Sequence, residues 1–196
     1  MVTPEPANIL PRLGEAFLYH SFFTETESKH YLHRLLQEVP WKQEPVVMFG
    51  KKVLQPRLTA WFGDEGTRYR YSGITMPAAG WLPVLEVLRD RVSAACGVRF
   101  TGVLLNLYRD GQDSMGWHRD NEKELGPNPV IASVSFGAER PFRFRLYAQK
   151  DEKLSITLTN GSLLLMQGAT QHYWEHSLPK RKGITGVRVN LTFRVL

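Results

Sequence analysis

The stretch Arg188-Val-Asn-Leu-Thr-Phe-Arg194 alternates without a break. In an extended chain Val189, Leu191 and Phe193 fall on one side, and Arg188, Asn190, Thr192 and Arg194 on the other. The apolar side packs. The polar side has two readings. If it is solvated, its two arginines are ordinary surface charges. If it is turned inward, two guanidinium groups leave water and require anionic partners. A dicarboxylate answers both, because guanidinium pairs bidentately with carboxylates.

The preceding hundred residues have the same texture. Short apolar runs at 103–108, 130–136, 142–147, 154–158 and 162–166 are separated by turn clusters such as Asp110-Gly111, Gly126-Pro127-Asn128-Pro129 and Asn160-Gly161. Asn-Gly between apolar runs predicts a two-residue hairpin. Many short strands predict two packed sheets or a barrel, which protect their edges. Further upstream, residues 24–39 predict an amphipathic helix, with Thr24 and Glu27 at capping-box spacing and Pro40 as its stop. Residues 81–96 predict a second helix ended by Gly97. Residues 1–14 read as a tail. The segment 46–73 interleaves Lys51, Lys52, Arg57, Arg68 and Arg70 with Phe49, Trp61, Phe62, Tyr69 and Tyr71, and is expected to lie outside the strand array.

A chain of 196 residues suits one well-filled domain. Its net charge of +6 favours an anionic partner. A single cysteine, Cys96, excludes an intrachain disulfide and fits a core position. No apolar stretch approaches membrane-spanning length, and the first residues lack the pattern of a signal peptide. A cytoplasmic monomer is expected.

His118 and Asp120 stand two apart, so one strand would present both to one face. His176 lies far enough along to come from another strand of the same roll. Two histidines and one carboxylate on one face of an octahedron leave three open positions, the arrangement of non-haem Fe(II) oxygenases. His-x-Asp alone is a common surface pair. It gains meaning from the 188–194 strand and from Asn106 and Tyr108, a further pair at the same spacing.

Five ordered blocks then resemble the AlkB family of nucleic-acid dealkylases, most like its homologues two and three. They are Asn106-Leu-Tyr108-Arg-Asp-Gly, Gly116-Trp-His118-Arg-Asp120-Asn-Glu122, Ile131-Ala-Ser-Val-Ser-Phe-Gly137, His176-Ser-Leu-Pro and Arg188-Val-Asn-Leu-Thr-Phe-Arg194. The likeness extends upstream through Phe49-Gly-Lys and Tyr69-Arg-Tyr71-Ser-Gly73, covering about residues 45–196.

The resemblance implies an α+β protein: a double-stranded β-helix (jelly roll) over 102–196, N-terminal helices packed on one sheet, and a nucleotide-recognition lid over 45–75. It implies Fe(II) held by His118, Asp120 and His176, with 2-oxoglutarate and O2 as cosubstrates. Asn106, Tyr108, Arg188, Thr192 and Arg194 would hold 2-oxoglutarate, with Arg188 facing its distal carboxylate. Tyr71 would stack on the damaged base, Tyr69 would line the pocket and Glu122 would contact the base. Phe49, followed by Gly50 and Lys51, would act as a wedge in the vacated stack. Lys51, Lys52, Arg57, Lys180, Arg181 and Lys182 are candidates for phosphate contacts. Asn121 departs from the acid of the double-strand-acting homologue.

The implied reaction removes methyl groups from 1-methyladenine and 3-methylcytosine in DNA or RNA, releasing formaldehyde, succinate and CO2. Two alternatives remain: an oxygenase that hydroxylates a protein, and a non-catalytic nucleic-acid-binding jelly roll.

Overall fold

In the computed structural model the described residues are 6–48, 51–71 and 74–196, with the side chains at 46–52 and 68–77 outside that description. Phe49 and Gly50 therefore lie outside the described residues, as do the side chains of Lys51, Lys52, Tyr69 and Tyr71.

Two antiparallel sheets face each other. The larger has six strands, in the order β1 (Glu15–Tyr19), β12 (Ser162–Gln167), β9 (Ile131–Gly137), β14 (Arg188–Arg194), β7 (Gly102–Tyr108) and β4 (Leu58–Gly63). The smaller runs β11 (Lys153–Leu158), β10 (Arg140–Leu146), β13 (Trp174–Leu178) and β8 (Met115–His118). This is the predicted jelly roll. Two hairpins, β2 (Pro45–Met48) with β3 (Lys51–Leu54) and β5 (Arg68–Tyr71) with β6 (Ile74–Pro77), occupy the region read as a lid.

Strand β14 is central, paired with β7 on one side and β9 on the other, and all seven of its residues are buried. Its apolar face joins Val103, Leu105 and Leu107 of β7 and Val134 and Phe136 of β9 in the outer core. Helices α1 (Glu25–Glu38) and α2 (Pro83–Cys96) cover that face through Leu35, Leu85, Leu88 and Val92. Burying Val189, Leu191 and Phe193 stabilises the strand by roughly 1.5–3 kcal/mol each. That is enough to keep an arginine-bearing strand inside, where a desolvated ion costs several kcal/mol. The two readings of β14 are thereby decided: its polar face points between the sheets.

Both helices form as predicted. Thr24 and Glu27 complete the capping box, with Thr24 N donating to Glu27 Oε2 at 2.8 Å and Glu27 N donating to Thr24 Oγ1 at 3.3 Å. Helix α2 begins at Pro83, two residues later than its apolar run, because proline suits the first turn. Gly97, at φ 64°, ends it. Cys96 is half-buried against the outer core, and burial pushes its thiol up to about 11.

Three expectations are corrected. Asn160-Gly161 does not turn a hairpin. It carries the chain from β11 in the small sheet to β12 in the large one, and Gly161 at φ 76° lies against Ser28 and the Phe23 carbonyl of the α1 entry, leaving no room for a Cβ. Within 46–73, residues Leu58–Gly63 are not apart from the strand array: they form β4 and pair with β7, burying Trp61 and Phe62. Residues 6–14 do not trail as a tail. Leu10 is buried in the inter-sheet core, and Trp174 Nε1 donates to the Arg12 carbonyl at 3.0 Å.

Candidate metal and cosubstrate site

His118 ends β8 and His176 sits directly opposite it on β13. Their rings lie 4.2 Å apart between centroids. Asp120 follows two residues after His118, beyond the end of the strand. Strand alternation therefore does not place it, and other contacts must. The His118, Asp120 and His176 ligand atoms all lie within 4.8 Å of one another.

The donor set suits a divalent metal. His118 Nδ1 lies 2.9 Å from the Gly116 carbonyl. A carbonyl can only accept, so Nδ1 is the donor here and Nε2 is the ring nitrogen turned toward Asp120. His176 is buried and stacked on Phe142, and burial foremost, then electrostatic repulsion from nearby His118, lowers its pKa to about 3. It is a neutral ligand at neutral pH. Burial alone would raise the Asp120 carboxyl, but Arg194 first, then His176 and His118, overcome it and hold it at about 2. Arg194 Nη2 donates to Asp120 Oδ2 at 3.0 Å, while buried Oδ1 has no protein partner and faces His118 Nε2 at 3.8 Å. Two imidazoles and one carboxylate with a free oxygen fit Fe(II).

The same cavity is lined by the inward faces of β14 and β7: Arg188, Asn190, Thr192 and Arg194 with Asn106 and Tyr108. Arg188 is 2% exposed. Its Nη2 donates to Ser135 Oγ at 2.9 Å, and its Nε has no protein partner. Among the described residues no carboxylate faces it. Its guanidinium lies 5.2 Å from the Tyr108 ring centroid, and burial foremost lowers its pKa to about 10. It remains a cation at neutral pH, buried and short of an anion, which is what a dicarboxylate cosubstrate supplies.

Asn190 and Ser133 also line the cavity, with Asn190 Nδ2 donating to Ser133 Oγ at 2.8 Å. The alternation of β14 marks Asn190, but its role as a brace between strands needs the register of β9. Arg57 is not a phosphate contact. It is 5% exposed, and its Nε donates to Asn106 Oδ1 at 2.8 Å, so it braces the Asn106 wall of the cavity from the residue just before β4. Lys180, Arg181 and Lys182 are exposed. Glu122 does not continue β8. It is half-buried at the start of the Lys123–Leu125 turn and is not among the residues lining the cavity.

A facial triad of this kind, set in a jelly roll beside a buried unanswered cation, defines a non-haem iron oxygenase. The profile described as the 2OG-Fe(II) oxygenase superfamily matches residues 15–194, and the chain belongs to that superfamily, whose members use Fe(II), 2-oxoglutarate and O2. It is 44% identical to rat alpha-ketoglutarate-dependent dioxygenase alkB homolog 3 over 91% of its own length and 63% of the relative's. It is 44% identical to bovine DNA oxidative demethylase ALKBH2, over 90% of its own length and 67% of the relative's. The chain thus spans somewhat less than two thirds of the rat homologue. The solved structure of OsALKBH1 superposes with a TM-score of 0.66, covering 91% of this chain and 97% of that one at 17% identity, which supports the fold.

Proposed function

We propose that this chain is an Fe(II)/2-oxoglutarate-dependent demethylase of N-alkylated bases, acting on 1-methyladenine and 3-methylcytosine in DNA, with RNA as a second substrate. The observation that carries this reading is the triad beside the buried cationic face of β14, in a chain 44% identical to a named DNA oxidative demethylase. The +6 charge suits a polyanionic partner.

His118, Asp120 and His176 would hold the iron. Together with 2-oxoglutarate and O2, the iron supplies the oxidising power to hydroxylate an N-methyl group. Arg188 would take the distal carboxylate of 2-oxoglutarate, with Asn106, Tyr108, Thr192 and Arg194 around the rest. Arg194 has a second task, steering the Asp120 carboxylate so that only Oδ1 is free. The apolar wall of Phe142, Met166 and Leu178 keeps water from the reacting carbon. The hydroxylated methyl group then leaves as formaldehyde, beside succinate and CO2.

A base in a duplex cannot reach a buried metal, so it must be flipped out or presented in a single strand. On sequence grounds Phe49 would fill the gap in a duplex, and Tyr69, Tyr71 and Glu122 would hold the base. Glu122 suits the positive charge of both methylated bases. Gly50, Lys51 and the exposed Lys180–Lys182 cluster would meet the backbone.

The test supplies Fe(II), ascorbate and 2-oxoglutarate and follows 1-methyladenine in matched single-stranded DNA, duplex DNA and RNA. Methyl loss with formaldehyde release is expected on DNA. Phe49→Ala should lose more activity on duplex than on single strands. Succinate formation that no methylated nucleic acid stimulates would contradict the proposal.

A further inference from the structure

Strand β8 stops at His118, so Asp120 has no ladder to hold it. It is nevertheless 2% exposed, and a buried backbone N–H must find an acceptor. The acceptor is a side chain: Asp120 N donates to Gln171 Oε1 at 3.0 Å. Gln171 is 1% exposed. It lies on the short helix α3 (Thr170–Tyr173), which leads directly into β13 and His176. Its amide nitrogen approaches Met166 Sδ at 3.7 Å, on the cavity wall. The helix itself is pinned next door, where Thr170 Oγ1 donates to a backbone carbonyl and accepts from Glu15 N at 2.8 Å.

We propose that Gln171 is a positioning residue for the metal site, fixing the backbone of Asp120 so that its free carboxylate oxygen is presented together with His118 and His176. Two anchors then define this ligand. Arg194 holds Oδ2 and Gln171 holds the main-chain nitrogen four bonds away. With one anchor alone the segment after β8 could pivot about it, because no strand pairing opposes rotation. Gln171 also ties the segment bearing Asp120 to the element bearing His176, so the two halves of the triad move together. Removing groups that orient metal ligands typically costs 10–100-fold in metal affinity.

The inference rests on the triad being the metal site, and the test separates the two. Mn(II) binding to the full chain is followed by the electron paramagnetic resonance signal of the free ion, in wild type and in Gln171→Met. Methionine keeps the length and bulk but removes the acceptor oxygen. Mn(II) affinity should fall about tenfold, while 2-oxoglutarate affinity at saturating Mn(II) stays within about twofold. Gln171→Glu keeps an acceptor oxygen, and its Mn(II) affinity should be no weaker than about half that of wild type. In an Asp120→Ala background, Gln171→Met should cause no further loss.

An unchanged Mn(II) affinity in Gln171→Met would overturn the proposal. So would a full tenfold loss in the Asp120→Ala background, or Gln171→Glu binding as poorly as Gln171→Met. If His176→Ala binds Mn(II) as wild type does, the triad itself is misassigned, a different failure.

Discussion

Replacing Arg188 by methionine separates the stability of this fold from its chemistry. The buried guanidinium is held by Ser135 and the Tyr108 ring, without a carboxylate among the described residues. Swapping an uncompensated buried ion for an apolar side chain of similar volume is often neutral or stabilising. Arg188→Met should therefore leave the metal- and cosubstrate-free chain at least as stable in urea. It should also lose about 2–5 kcal/mol of 2-oxoglutarate binding, roughly 30-fold or more, in calorimetry with Mn(II) present. An unchanged 2-oxoglutarate affinity would place the distal carboxylate elsewhere. Residue-scale reasoning from sequence reached Arg188, Arg194, Asn106 and Tyr108 because strand alternation exposes such faces. It could not reach Gln171 or the bracing role of Arg57, whose partners lie 51 and 49 positions away. No periodic pattern encodes such contacts.

At the scale of elements, α1 and α2 are tied across their solvent edge by Glu27 and Arg91, with Oε1 and Nη1 at 2.6 Å. The Arg91 hydrogen bond foremost, then the Thr24 cap, holds the Glu27 carboxyl at about 2, below its ordinary 4.5. A carboxylate with a lowered folded-state pKa stabilises fully above its unfolded value and loses that contribution as pH falls through the folded one. Glu27→Gln should cost about 0.5 kcal/mol in urea unfolding at pH 7, as partly exposed pairs do. The gap to wild type should narrow between pH 4.5 and 2. A gap that stays constant to pH 2 would show that the charge is not responsible.

Elements with strong periodicity were readable in the chain: both helices, β7, β9, β10, β11, β12 and β14. The short strands were not. β8 has four residues and is half exposed, and β13 carries His176 and Glu175 among apolar residues, so neither stands out from a loop. Asn160-Gly161 misled because the same left-handed turn chemistry that closes a hairpin also serves a crossing between sheets. Glu122 was assigned to the base through the family resemblance, and the strand before it ends four residues earlier, so alternation does not orient it.

For the whole molecule, the site follows from closure of the roll. The large sheet brings the arginine face of β14 inward because helices cover its other side. The small sheet sets His118 opposite His176. The triad and the arginine face therefore come from opposite sheets and meet only when both are packed, joined by the contact of Arg194 with Asp120. No helix among the described residues is long and apolar enough to cross a membrane.

The central proposal is that this centre oxidises a methyl group on a nucleic-acid base. The most direct measurement is the ratio of formaldehyde to succinate released from 1-methyladenine in single-stranded DNA, for wild type and His176→Ala. Wild type should release the two in about equal amounts. His176→Ala, still folded, should fall by about three orders of magnitude or more, into the range lost when a catalytic group is removed. Wild-type succinate without formaldehyde, or substantial turnover by His176→Ala, would contradict it.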